Sequence, residues 1–317
     1  MQLFESVVMF VVIFLTIVCL GIYLKQRKIL TDDSTSTLSK LIMELVYPAL
    51  IFATVATAKL DYEEVVAAAA FDIALLSVGA VSYLVAKYLL KLDRTSLAAV
   101  VLAAMFSGTS LIGTAMLKIV FEGHPENVSI GIVVAQLSNA LLLNSLGIFI
   151  GAHFGSDANS GLRKQIKDFL FSKPLIALAL GLIWTLLNLP TTGILAGALI
   201  GSLAMIGAAM PLLAALVTGL TFKIPKVKGL TLAILLVVAG QLVLEPLFFF
   251  YWANRFGDSL TYKEIGVLMT SLGSSPVVVV ICNRYRCNTE LASTLVLSTT
   301  LLSAITLPIS AYLLASL

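Results

Sequence analysis

Charge is scarce in this chain, and so are the residues on which catalysis usually rests. Charged side chains make up 12% of the 317 residues, where a soluble domain carries nearer a quarter. With 59% hydrophobic residues and a mean hydropathy of +1.04, too little polar surface is left to keep a folded chain dispersed in water. Lipid is the implied solvent. Two histidines, His124 and His153, and three cysteines, Cys19, Cys282 and Cys287, leave little room for metal or thiol chemistry. The odd cysteine count without paired spacing argues against a disulfide framework. Cys282 and Cys287 flank Asn-Arg-Tyr-Arg, which is not a zinc spacing. No nucleophile–base pair is visible, and the glycines of GTSLIGTAM lack the following Lys-Ser or Lys-Thr of a phosphate-binding loop. The net charge of +3 is small, and nothing marks a nucleic-acid surface. Neither an enzyme, nor a cofactor, nor a nucleic-acid partner is expected.

What the chain has is long apolar runs. In lipid the backbone must satisfy its own hydrogen bonds, which leaves helices or a closed barrel. Barrel strands alternate apolar and polar residues; here the runs are continuous, so the expected class is an all-α integral membrane protein. A span takes roughly 20 apolar residues. Ten runs qualify: 4–24, 37–57, 64–86, 97–120, 127–152, 174–189, 194–220, 229–252, 262–283 and 290–316. The first has no basic start and no Ala-x-Ala site, and Lys25, Arg27 and Lys28 follow it, so an uncleaved helix is expected rather than a signal peptide. The lysines and arginines then orient the spans. Sixteen of the 20 follow spans 1, 3, 5, 7 and 9; Lys59, Arg255 and Lys263 lie on the other side, and Lys118 lies within span 4. The positive-inside rule puts both termini outside the cell membrane and the central loop in the cytoplasm.

The chain also matches itself faintly at an offset of about 163 to 165 residues. Pro48 in VYPALIFATVAT aligns with Pro211 in AMPLLAALVTGL, and Gly108-Thr109-Ser110 with Gly273-Ser274-Ser275. Each half then holds five spans, 1–153 and 174–317, around a linker at 154–173. An odd number per half inverts the second copy, an arrangement typical of secondary transporters that bind substrate at the midplane.

Spans 4 and 9, counterparts in the two halves, are both interrupted. Span 4 carries Ser107-Gly108-Thr109-Ser110, and span 9 carries Gly273-Ser274-Ser275-Pro276. Glycine loosens a helix, and proline removes a donor and clashes with the preceding turn. Opened backbone at that depth is tolerated beside protein or a cavity, where its amides can hold an anion and its carbonyls a cation; close packing of helices through small residues is the alternative. Gln136 and Asn139 share one face of span 5 and are added to the candidate substrate site. Thr299, Ser303, Thr306 and Ser310 form a stripe on span 10 that reads as helix–helix hydrogen bonding. Asp72 on span 3 and Glu245 on span 8, with Gln241 one turn before it, are candidate coupling residues, since a carboxyl inside a membrane is costly and usually functional.

The segment SSPVVVVICNRYRCNTELASTLVLSTTLLSAITLP, with Tyr47-Pro48-Ala49-Leu50 and PLLAALVTGL at 211–220, resembles the auxin efflux carrier family, which includes plant auxin exporters and bacterial organic-acid permeases. The resemblance implies a scaffold of spans 1, 2, 6 and 7, a transport unit of spans 3–5 and 8–10 crossing at 4 and 9, an elevator-like motion, and a homodimer joined through the scaffold. The family's span 4 reads Asn-x-x-x-x-Gly-x-Pro; with its Gly set on Gly113, this chain has Gly108 for the Asn and Ala115 for the Pro. The expected function is secondary transport of a small organic anion or carboxylate, with H+ or Na+ as coupling ion. The alternatives are a sodium-coupled symporter of bile-acid-carrier type and a membrane sensor that binds without moving its ligand.

Overall fold

The structure of the chain is a computed structural model that describes residues 2–58, 62–109, 117, 131, 134, 138–155, 170–227, 229–256 and 260–315. Among the described residues every regular element is helical. In chain order these are α1 (Gln2–Gln26), α2 (Asp32–Leu41), α3 (Tyr47–Ala56), α4 (Tyr62–Leu84), α5 (Arg94–Met105), α6 (Ile148–Phe154), α7 (Lys173–Leu186), α8 (Ile194–Gly207), α9 (Met210–Thr221), α10 (Leu230–Ala239), α11 (Glu245–Phe256), α12 (Leu260–Thr270), α13 (Val277–Arg284) and α14 (Thr289–Ala315). Among the described residues, five continuous helices are long and apolar enough to cross a membrane: 32–56, 65–89, 194–221, 230–256 and 289–310.

Several of the continuous helices change pitch where the sequence would otherwise strain them. A π-helical turn at Ile42–Val46 joins α2 to α3 just before Pro48, and another at Gly240–Leu244 joins α10 to α11 just before Pro246. A proline ring clashes with the carbonyl four residues back, and the wider turn moves that carbonyl aside. Further π-helical turns follow α4 (Val85–Leu89) and precede α6 (Asn139–Gly147).

Two sets of helix contacts stand out, and α1 on α14, α9 on α13 and α2 on α13 join them. α3 lies against α7 and α8, and α1 against α9; α4 lies against α5 and α11, and α11 against α12. The α1–α9 contact is close because it is made of glycines: a Cβ on Gly219 would sit 2.2 Å from the Val18 carbonyl oxygen, and one on Gly21 2.7 Å from that of Leu216. Small residues that bring backbones together are the usual device of helix packing in lipid.

The basic loops gather at one end of the bundle. Lys25 Nζ reaches the Leu220 carbonyl at 2.7 Å and Asp32 at 2.8 Å. Lys223 pairs with Glu290 at 3.5 Å and Arg284 with Glu44 at 3.1 Å. Asn288 N donates to Thr95 O, and Arg94 Nη2 to His153 O. Glu44, inside an apolar run in the sequence, is thus a half-exposed ion pair at the basic end.

Candidate functional site

The two interrupted spans meet. α5 ends at Met105 because Phe106 turns into extended backbone (φ −113°, ψ 108°). α12 ends at Thr270, and α13 restarts after Pro276. Between these ends Ser107 and Ser274 form an antiparallel bridge. Gly108 N donates to Gly273 O and Ser275 N to Phe106 O, both at 2.7 Å. Ser274 N donates to Thr299 Oγ1 at 3.0 Å, and Ser274 Oγ to Ala103 O at 2.6 Å. Pro276 is the N-cap of α13, where its missing N–H costs no helical bond. Three of the amides that the sequence leaves open at the breaks are therefore paired here, two of them across the crossing. The hydroxyls of Ser107, Thr109, Ser274 and Ser275 are buried, none of the four residues being more than 3% exposed.

Close approach requires the glycine at 273 and makes a tight fit at 108. A Cβ on Gly273 would lie 2.7 Å from Thr300 Cα and N, and one on Gly108 3.2 Å from Gly273 O. Thr299, which the sequence suggested as a member of a packing stripe, caps the opened backbone of span 9. Its place beside Ser274 could not be read from spacing, because it depends on how two helices cross.

The carboxyls fall in two places. Gln241 lies within the π-helical turn and Glu245 just after it; both are fully buried, and Gln241 Nε2 donates to Glu245 Oε2. The Ser107 hydroxyl at the span 4 break is set against the Glu245 carboxyl, and Gln241 Oε1 is buried beside them without a hydrogen-bond partner. A buried oxygen left without a partner costs about 1–3 kcal/mol, and such groups call for a ligand, ion or proton in some state of the molecule. The sequence separated Glu245 from the breaks; the structure brings it to one of them. Asp72 is half-buried on α4 and accepts a hydrogen bond from Ser138 Oγ, a partner the sequence did not single out. Asn139 opens the π-helical stretch before α6, with nothing described of its side chain, and Ser110 and Gln136 lie outside the described residues.

Comparison with known proteins gives the family. The profile of the family described as membrane transport protein matches residues 6–159 and again 158–311. A protein of Methanothermobacter thermautotrophicus, named as an uncharacterized transporter, is 27% identical over 316 residues, covering 93% of this chain and 94% of its own. Together the two matches of the profile run over nearly the whole chain, and on that ground it belongs to the membrane transport protein family, that of the auxin efflux carriers.

Proposed function

We propose that this membrane transporter is a secondary carrier for a small organic anion or carboxylate, working in the cell membrane by elevator-type alternating access. The carrying observation is the crossing itself, where two half-helix ends and four buried hydroxyls converge with Glu245 alongside. The N-terminal end of α13 brings the positive end of a helix dipole to the crossing, which suits an anion. The buried oxygens of Glu245, Gln241 and Ser107 suit the coupling cation. On this reading the ten apolar runs all cross the bilayer as two inverted repeats, with both termini outside. The packing groups supply the moving parts: α1–α3 and α7–α9 as scaffold, α4–α6 and α10–α14 as transport unit. Dimerisation would cover the exposed Ile194, Leu195 and Met205 of α8.

Sodium coupling is the second reading, because the buried oxygens of Ser107, Gln241 and Glu245 gathered at one place are also the beginnings of a sodium site. Reconstitution into proteoliposomes tests both. Carboxylate uptake driven by an imposed pH gradient supports proton coupling, and uptake that needs a sodium gradient supports the second reading. Ligand-induced thermal stabilisation without flux under either gradient would leave a sensor and overturn the carrier.

A further inference from the structure

The geometry points to a binding site for an anionic phospholipid at the basic end of the bundle, in a groove between α4, α5 and α6. The groove holds about 180 Å³ and is lined almost wholly by carbon, from Leu76, Gly79 and Ala80 on α4 to Leu97 and Met105 on α5 and Ile150 on α6. Small residues shape it: a Cβ on Gly79 would lie 2.4 Å from the Met105 sulfur, so a larger residue there would have to displace the Met105 side chain. Leu76 and Ala80 are exposed, which opens the groove to the lipid side. An apolar groove on that face is filled by hydrocarbon rather than water.

The mouth specifies the rest of the ligand. Tyr83 and Phe154 close it as a tilted ring pair 6.1 Å apart. Each ring carries a cation: Lys87 Nζ donates to Tyr83 Oη at 2.8 Å, and the Arg94 guanidinium lies 5.9 Å from the Phe154 ring centre. Both cations are exposed and keep further N–H donors. The neighbouring Asp93 carboxylate is engaged as the N-cap of α5, accepting from the amides of Thr95 and Ser96. Two aromatic rings, two cations beside them and a carbon-lined groove below match a phosphate headgroup with part of its chain. The site is distinct from the crossing and does not depend on what the carrier moves.

The test uses the purified, delipidated protein in detergent, titrated with phosphatidylglycerol and, separately, with phosphatidylcholine of the same chains, bound lipid being counted by native mass spectrometry. Phosphatidylglycerol should bind about tenfold better. Lys87→Gln with Arg94→Gln should erase that preference while leaving phosphatidylcholine binding unchanged, and Ala80→Trp, which fills the groove from its open side, should reduce both lipids. Glycerol 3-phosphate, a headgroup without a chain, should not compete. Equal binding of the two lipids by the unmodified protein overturns the proposal. So does a preference that survives removal of both cations, or competition by glycerol 3-phosphate.

Discussion

Replacing Gly273 by alanine should loosen the crossing. The new Cβ would stand 2.7 Å from Thr300 Cα and N and 2.8 Å from Thr299 C, all backbone atoms that cannot swing away. Carbon contacts are comfortable at about 3.5–4.0 Å, so spans 9 and 10 must part by roughly 1 Å. A shift of that size carries the Ser274 N to Thr299 Oγ1 bond, now 3.0 Å, out of hydrogen-bond range. Overpacking costs about 1–3 kcal/mol, and a buried amide left unpaired costs about 1–3 kcal/mol more. Thr299→Val isolates the second contribution, since it keeps the shape and removes the acceptor. Gly201→Ala on α8 is the control, because nothing lies within 4 Å of its added methyl. Thermal unfolding in detergent should rank Gly273→Ala below Thr299→Val, and Thr299→Val below Gly201→Ala and the unmodified protein. If Gly273→Ala unfolds with Gly201→Ala, the close contact of spans 9 and 10 is not a feature of the folded protein.

Three further outcomes are expected. Burial pushes the Asp93 carboxyl up, but the hydroxyls and amides of Ser96 and Thr95 outweigh it and hold the group below the ordinary carboxylate value. Its contribution is therefore complete above about pH 4 and lost as pH falls further: Asp93→Ala should cost about 1 kcal/mol at neutral pH and much less near pH 3, in melts followed across that range. Glu44 and Arg284, each about 40% exposed, should show a coupling of about 0.2–1 kcal/mol in a double-mutant cycle, vanishing in high salt. For orientation, Cys287 is a poor reporter because it is 7% exposed; Lys226→Cys, in a background without Cys19, should react with an impermeant thiol reagent from the cytoplasm alone and Arg255→Cys from outside alone, and the reverse pattern would invert the topology.

Much of the fold was legible because lipid makes sequence unusually explicit. Each long helix must be apolar along its length, so its position shows as a run, and the described helices fall on the apolar runs to within a few residues at most ends. The breaks in spans 4 and 9 were legible because Gly108, Gly273 and Pro276 are the residues that break helices. The pitch changes before Pro48 and Pro246 were not, because a proline in a helix signals a disturbance without saying whether it becomes a kink or a wider turn. The site was half legible. Ser107 and Ser274 were marked as polar residues at two breaks, but their pairing, the cap from Thr299 and the approach of Glu245 to Ser107 are properties of helices crossing at distances of 25 to 171 residues in sequence. The π-helical turn at Gly240–Leu244 rotates Gln241 and Glu245 into the bundle, and no periodicity of 3.6 residues anticipates that rotation.

The central claim is that carboxylate passes the membrane at the crossing with Glu245 as the coupling group. Capacitive currents from proteoliposomes adsorbed on a solid-supported membrane measure this most directly, with a panel of small carboxylates applied under matched pH and sodium. A carboxylate-evoked current is expected from the unmodified protein, strongly reduced by Glu245→Gln while ligand-induced thermal stabilisation survives. A full current from Glu245→Gln with unchanged pH and sodium dependence would contradict it.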